Sequence, residues 1–573
     1  MSVMRRDELN ISVLEKRLPI IAWVRNYKKA DLRGDLSAGI TTAVMIVPQG
    51  MAYAMLAGLP PIMGLYAAIV PLIVYAIFGT SRQLAVGPVA MDSLLVFSSV
   101  SVLAKVGTDQ YITLTIVLAF VAGAIQVIMG IFRLGFLVNF LSKPVISGFT
   151  AAAALVIAFS QLKDILGIQI QRTHLIHTIL LQAIGELGST SIITLCIGLL
   201  SIVTMVMLKK KSPMFPRALS VVAVGTLATY FFELTRLGVA VVGDVPAGFP
   251  IPQLPVIDKE ILLTILPTAA IVALIGFMEA ISISKGLATK HGYDLDPNQE
   301  LIGIGLANIA AGIFRGYTVT GGFSRTAVNE SAGANTPLAA LITAALVTVT
   351  LLYLTPLFYF LPRSVLAAII ITSVFGLIDI GVAKHLWKIK RRDFGLYLLT
   401  FFATLAFGIV VGLGVGVAAS LIVFIERSTK PHFAVLGRIE NTTSYRNIKN
   451  YENLERYENL LLLRIDSQFY FGNVNFLKST IDEQGKLHGP LKAVILDMSG
   501  VNQIDATGEG ALCEIQTRLE GEGITLFFAN MKKPVSRVLV AGEVCDDKET
   551  EKVFLTVHDA VMHFLHTKQK STI

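Results

Sequence analysis

Apolar residues in this chain fall into repeated runs of helix-spanning length, at roughly 36–57, 61–79, 88–104, 111–132, 144–161, 188–208 and 217–234. After a Pro-rich connection, Gly243–Pro255, a second set follows at roughly 264–286, 299–314, 323–334, 337–355, 364–378, 394–410 and 412–427. Runs of about 20 apolar residues are what a bilayer's hydrocarbon core requires of a helix. The pattern predicts an all-α polytopic membrane domain over 36–427, with fourteen segments as two sevens (about 36–234 and 264–427). Segments 88–104, 323–334 and 364–378 are short for full spans, and the first two read as half-helices. Past a linker at 428–450 the pattern becomes that of a soluble α/β domain, 451–573. Strand-like Asn459–Asp466, Leu491–Ser499 and Ile524–Ala529 alternate there with helix-like Val474–Gln484, Gly508–Glu522 and Pro534–Gly542.

Composition agrees with this division. Of 573 residues, 54% are hydrophobic and 15% charged, with mean hydropathy +0.67, which excludes a single soluble domain. Residues 1–35 are basic and polar, read as a cytoplasmic N-terminal segment without the shape of a removable signal peptide. Lys/Arg clusters follow the second, fourth, sixth, eighth and twelfth spans, so the positive-inside rule puts both termini in the cytoplasm, with a bacterial inner membrane as the expected setting. Basic loops also account for the net charge of +8 without invoking nucleic acid. Cys196, Cys513 and Cys545 show neither metal-ligand spacing nor a disulfide framework, and no cofactor is expected.

The most informative stretch is Arg315–Ala334, which holds Gly, Thr and Ser where lipid would favour Leu, Ile and Val. Non-helical backbone at membrane depth is tolerated only where it is buried in protein or lines a wet cavity. Its Phe323-Ser324-Arg325 would open a half-helix, adding a hydroxyl and a guanidinium to free N–H groups and a positive dipole end. Gly79–Asp92 is its partner, with Pro88 marking a second helix start that leads into Val89, Ala90 and Met91. Two such N-termini facing each other would make an anion site, and their corresponding places in the two sevens suit an inverted repeat. The bland alternative makes Arg325 a snorkelling residue and the glycines helix-packing contacts. In the first span Gln49 and Tyr53 lie four apart and share a face beside Pro48. They offer an amide and a phenol to a cavity, unless Tyr53 is an interfacial aromatic. Glu279, set in an apolar run, is either a proton carrier or one half of a structural bridge to Arg325 or another cation.

Taken together, these residues resemble the SulP family of anion transporters, the sulfate permeases and their solute carrier 26-like kin. The match lies in Pro48-Gln-Gly-Met-Ala-Tyr-Ala54, Leu59-Pro-Pro61 with Gly64-Leu-Tyr66, Gly79-Thr-Ser-Arg82, Gly87-Pro-Val-Ala90 and Gly321–Asn329. The tail, with Leu496–Val501 and Ile504–Gly508, is similar to STAS domains. The resemblance implies a core domain (spans one to four and eight to eleven) and a gate domain (five to seven and twelve to fourteen). It further implies elevator-type alternating access, a homodimer, and an anion site made by Gln49, Tyr53, Val89, Ala90, Met91, Phe323, Ser324 and Arg325. Sodium-coupled bicarbonate members carry an Asp and nearby hydroxyls in the eighth span. Here Glu279 and Ile283 stand closest to those places, which implies proton rather than sodium coupling. In relatives of the tail a phosphorylated Ser follows the Asp, whereas here Ala506 and Thr507 follow Asp505. A role in folding, dimer contacts or docking of a cytoplasmic partner is therefore expected of the tail.

The expectation is a secondary transporter of a small oxyanion, sulfate first, coupled to protons. Bicarbonate or a C4-dicarboxylate on the same fold is the alternative cargo, and a membrane anion sensor reporting through the tail is the remote one. No enzyme is expected, because the soluble domain shows no nucleophile–base pair or metal set, and Asp497 and Asp505 read as strand-end and loop residues.

Overall fold

The computed structural model describes residues 15, 17–136, 142–171, 173, 175–211, 217–542 and 552–570. Cys545 and the first fourteen residues of the basic N-terminal segment lie outside them. The chain divides into two compact units, Met1–Ser420 and Leu421–Ile573.

Every predicted span finds a helix, and the last of these helices runs across the boundary between the two units. The first seven are α1 (Asp31–Leu56), α2 (Val70–Phe78), α3 (Ala90–Val100), α4 (Asp109–Ile131), α5 (Lys143–Ser160), α6 (Ile192–Lys211) and α7 (Arg217–Phe231). The second seven are α8 (Lys259–His291), α9 (Pro297–Ile313), α10 (Phe323–Ser331), α11 (Leu338–Val349), α12 (Arg363–Val374), α13 (Arg391–Phe407) and α14 (Ile409–Thr429). Nine of the described helical stretches are long and apolar enough to cross a membrane. The half-helices are short for a physical reason: α3 and α10 each begin where the chain leaves a two-residue strand. Those strands, β1 (Val86–Gly87) and β2 (Thr320–Gly321), pair antiparallel, Val86 with Gly321 and Gly87 with Thr320. Backbone groups that a helix would have satisfied are satisfied by this cross-pairing, as the membrane interior demands.

Packing sorts the helices into two groups. The first holds α1–α4 with α8–α11: α9 lies on α4 and α2, α11 on α1 and α2, and α10 on α1. The second holds α5–α7 with α12–α14, in which α13 lies on α5 and α6 on α12. Close approach joins α4 to α9, because a Cβ added to Gly123 of α4 would stand 2.5 Å from the Gly305 oxygen of α9. Small residues that let backbones meet replace the hydrophobic effect as the adhesive between membrane helices. Two buried carboxylates fasten the first group further. Asp35 accepts from Asn335 N (2.8 Å), Thr336 N (3.0 Å) and Thr336 Oγ1 (2.6 Å). Glu300 accepts from Tyr75, from Thr80 N (3.0 Å) and from Thr80 Oγ1 (2.6 Å).

The second unit contains a mixed sheet in the order β4-β3-β6-β7-β8-β9, where β3 is Phe433–Ile439, β4 Tyr445–Asn447, β6 Leu460–Ile465, β7 Ala493–Asp497, β8 Thr525–Ala529 and β9 Val553–Phe554, with β5 (Leu454–Glu455) pairing antiparallel to β3 off this path. Strands β6 to β9 run parallel and β3 antiparallel to β6. Alternation along the strands feeds two cores. Leu461, Leu463, Val494, Leu496 and Phe528 pack with helices Val474–His488, Ala506–Gly521 and Lys533–Ala541. Leu460, Leu462, Ile495 and Phe527 pack with Val557–Lys570 on the opposite face. The stretch read as a linker, 428–450, carries β3 and β4, whose Ala434 and Leu436 are buried in the second core. Asp505 caps its helix by accepting from Gly508 N (2.7 Å), and Asp497 accepts from Ser499 N (3.0 Å) and Asn530 Nδ2 (2.9 Å). Both are structural residues, as their places in the sequence suggest.

Candidate functional site

The start of α10 sits against the start of α3. The cap positions are Val89 and Gly322, both extended, so the first N–H groups of each helix have no partner within it. Between them lies Arg325, only 2% exposed. Its Nη1 donates to the Pro88 oxygen at 2.5 Å, which ties the second half-helix to the mouth of the first. Arg325 Nε and Nη2 are buried and have no hydrogen-bond partner. Two glycines leave room for the guanidinium. A Cβ on Gly322 would stand 3.0 Å from Arg325 Nη2, and one on Gly87 3.3 Å from it.

A cavity of about 40 Å³ opens here. Every residue expected at the site lines it: Gln49 and Tyr53 from α1, Val89, Ala90 and Met91 from α3, Phe323, Ser324 and Arg325 from α10, and Glu279 from α8. Gln49 is buried with its Oε1 unpartnered, and Tyr53, 6% exposed, faces the cavity rather than an interface. Arg325 likewise reaches no membrane surface, which removes the snorkelling alternative. Glu279 forms no ion pair with Arg325 among the described residues; its Oε2 is buried without a partner. The bridge alternative thus finds neither Arg325 nor another cation paired with Glu279 among the described residues. Ile283, one turn further along α8, is buried and does not line the cavity.

Sequence reasoning missed two sets of residues. Ser373, Val374 and Leu377, at the end of α12 and just beyond it, close the cavity from the other helix group. Nothing local in the sequence marks them, since their role comes from a contact across the bundle. The second set is the polar brace behind the half-helices, whose signal was a scatter of single polar residues in apolar runs. Asn308 Oδ1 accepts from Val319 N (2.7 Å), and its Nδ2 donates to Val319 O (3.0 Å) and Gln126 Oε1 (3.0 Å). Gln126 Nε2 in turn donates to Ala273 O at 3.0 Å. Ser93 Oγ donates to Val89 O (2.7 Å) and meets the Tyr317 hydroxyl at 3.1 Å. Asn308→Ala would orphan the Val319 backbone and the Gln126 amide, at about 1–3 kcal/mol for each buried group left unpaired. The expected outcome is a melting temperature several degrees lower for the purified protein in detergent, with the loss visible before any transport assay.

A wider space of about 350 Å³ adjoins the cavity and shares Met91, Glu279, Phe323 and Leu377 with it. It is bounded by Ile146 and Phe149 of α5 and by Asp379. Beyond Ala52 of α1 lies a separate void of about 50 Å³. Half-helix N-termini converging on a buried, half-satisfied arginine, inside a polytopic helical bundle, define a membrane transport protein for anions.

The model of the Sulfate permease family matches residues 32–400 and that of the STAS domain residues 451–560. The chain belongs to the sulfate permease family, and like its relatives it is a transporter rather than an enzyme. It is 40% identical over 579 residues to Sulfate transporter 4.1, chloroplastic, of Arabidopsis thaliana, covering 98% of this chain and 84% of that one. The structure of SLC26A9 superposes with a TM-score of 0.90 at 27% identity, covering 100% of this chain and 96% of that chain. The murine Solute Carrier 26 family member A9 anion transporter in the inward-facing state gives 0.88 at 28% identity, covering 98% and 95%.

Proposed function

We propose that this protein carries sulfate across its membrane together with protons, by elevator-type alternating access. The observation that carries the reading is the buried Arg325, whose two unpartnered nitrogens lie between the N-termini of α3 and α10. A buried cation with donors to spare offers an arriving anion both charge and hydrogen bonds. A 40 Å³ cavity has room for a few water-sized groups. That suits a compact oxyanion better than an extended C4-dicarboxylate, and the names of the plant relatives point the same way.

The elevator reading draws on the two packing groups. The groups proposed to hold the anion all lie on α1, α3 and α10, within one group, while the other supplies only Ser373, Val374 and Leu377. The first group could therefore move past the second with the anion's partners intact. With basic clusters on the cytoplasmic side, the 350 Å³ space opens inward. The Arabidopsis relative at 40% identity is chloroplastic, which lends no support to the bacterial inner membrane expected from the sequence.

The test is uptake of radiolabelled sulfate into proteoliposomes, with and without a pH or sodium gradient, against unlabelled bicarbonate, succinate and fumarate. Uptake should respond to the pH gradient, be indifferent to sodium and resist competition by the other anions. Stimulation by sodium, or stronger inhibition by bicarbonate than by sulfate, would overturn the coupling or the cargo. In Glu279→Gln, which keeps shape but cannot exchange a proton, acid stimulation should fall several-fold, read as the ratio of uptake at low and high external pH. An unchanged pH profile would remove Glu279 from the coupling.

A further inference from the structure

Asp92 is a second buried carboxylate beside the site, and the reading above does not use it. It lies in the first turn of α3, two residues beyond the Ala90 that lines the cavity, and is 1% exposed with Oδ1 lacking any partner. Gly276 of α8 sets the geometry, since a Cβ there would meet Asp92 Oδ2 at 3.5 Å, Thr320 Cβ at 3.6 Å and Gln126 Nε2 at 3.7 Å. Glu279 is three residues further along that helix, on the same face, and also has an unpartnered oxygen. The charged and titratable groups that act on Asp92 are Glu279 on α8 and Tyr317 ahead of β2, with Arg325 on α10 and Tyr53 on α1 next to these two. Helices α4 and α5 carry titratable side chains only near their starts (Asp109, Tyr111 and Lys143).

An unpartnered carboxylate oxygen beside an anion site can take up a proton when the anion arrives. Charge arithmetic then decides how many protons travel. A sulfate dianion added to one guanidinium and two ionised carboxylates leaves three negative charges unbalanced, and protonating both carboxylates reduces this to one. One is also the imbalance of the empty site with both carboxylates ionised, so loaded and empty carriers bear the same charge. We propose that Asp92 is a second proton-binding residue, acting with Glu279 so that sulfate crosses with two protons and no net charge. This rests on the proton-coupled reading. The protons come from water on the loading side, bind one to each carboxylate, and are released with sulfate on the other side; no covalent bond of sulfate changes.

The experiment measures sulfate accumulation in proteoliposomes at fixed pH gradients, with membrane potential set by potassium and valinomycin. Wild type should accumulate about a hundredfold per pH unit and ignore the potential, because two protons enter the linkage. Asp92→Asn should accumulate about tenfold per unit and become potential-sensitive, since one proton no longer balances the dianion. Asp92→Glu should restore the wild-type pattern. If Asp92→Asn fails to transport, a second measurement decides: the peak proton uptake per sulfate bound to purified wild type in weak buffer, followed across a series of pH values. More than one proton supports the assignment, and one or fewer overturns it. Tenfold accumulation in wild type, unchanged in Asp92→Asn, overturns it while leaving Glu279 as the sole carrier. Wild type that ignores the pH gradient altogether overturns proton coupling itself.

Discussion

Arg325→Ala is expected to reduce sulfate uptake by at least about a hundredfold, the equivalent of losing two charge-assisted hydrogen bonds from a site without substitutes. Among the residues lining the cavity Arg325 is the only cation, and its partner Pro88 O would be left empty at the start of α3. The effect should exceed that of any neighbouring side chain, because helix ends supply only partial charge and lose force within a turn. Arg325→Lys should recover little. A lysine keeps the charge but presents a point ammonium, and cannot hold the Pro88 oxygen while aiming two further donors at the cavity. Expression and a monodisperse profile in detergent establish that the variant folds. Uptake within a few-fold of wild type would take Arg325 out of the site.

The second large effect is expected from Gly87→Ala, although Gly87 offers the anion no side chain. Gly87 has φ +151°, where an L side chain is strained by about 1–3 kcal/mol. An added Cβ would also stand 2.8 Å from Ile46 Cδ1 and 3.3 Å from Arg325 Nη2. Strain at the β1–β2 crossing and displacement of the guanidinium act together, so uptake should fall by at least about tenfold. Gly322→Ala separates the two causes, since Gly322 has φ −95° and its Cβ would press on the guanidinium alone at 3.0 Å. It should lose less uptake and little stability. Equal losses in the two variants would show that crowding, not backbone strain, governs the crossing.

Glu279 and Asp92 show how far sequence reasoning reaches. An acid in an apolar run is conspicuous, and that signal identified Glu279 as functional. Asp92 carries the same signal, yet it stands at the end of a glycine-and-proline motif, where the sequence pattern marks only a helix start. Only the fold shows that α8 passes beside it at Gly276, close to Glu279. Asn308 and Gln126 were equally visible as polar residues in apolar helices. Their pairing across 182 positions, which braces the backbone ahead of β2, was not.

The sequence alone determined the number and kind of elements: fourteen apolar segments, two of them broken, and a soluble α/β tail. Segment length, helix-breaking residues and strand alternation are local properties that solvent and bilayer read directly. It also fixed which side chains could serve an anion, because amide, phenol, hydroxyl and guanidinium groups are rare in lipid-facing runs. Tertiary structure decided what those groups do together. It placed β3 in the stretch read as a linker, closed the cavity with Ser373 from the far helix group, and set Arg325 and Glu279 around one cavity without an ion pair between them. Each of these depends on contacts between segments dozens to hundreds of residues apart, set by close backbone approach and buried hydrogen bonds, and no local pattern encodes such a distance.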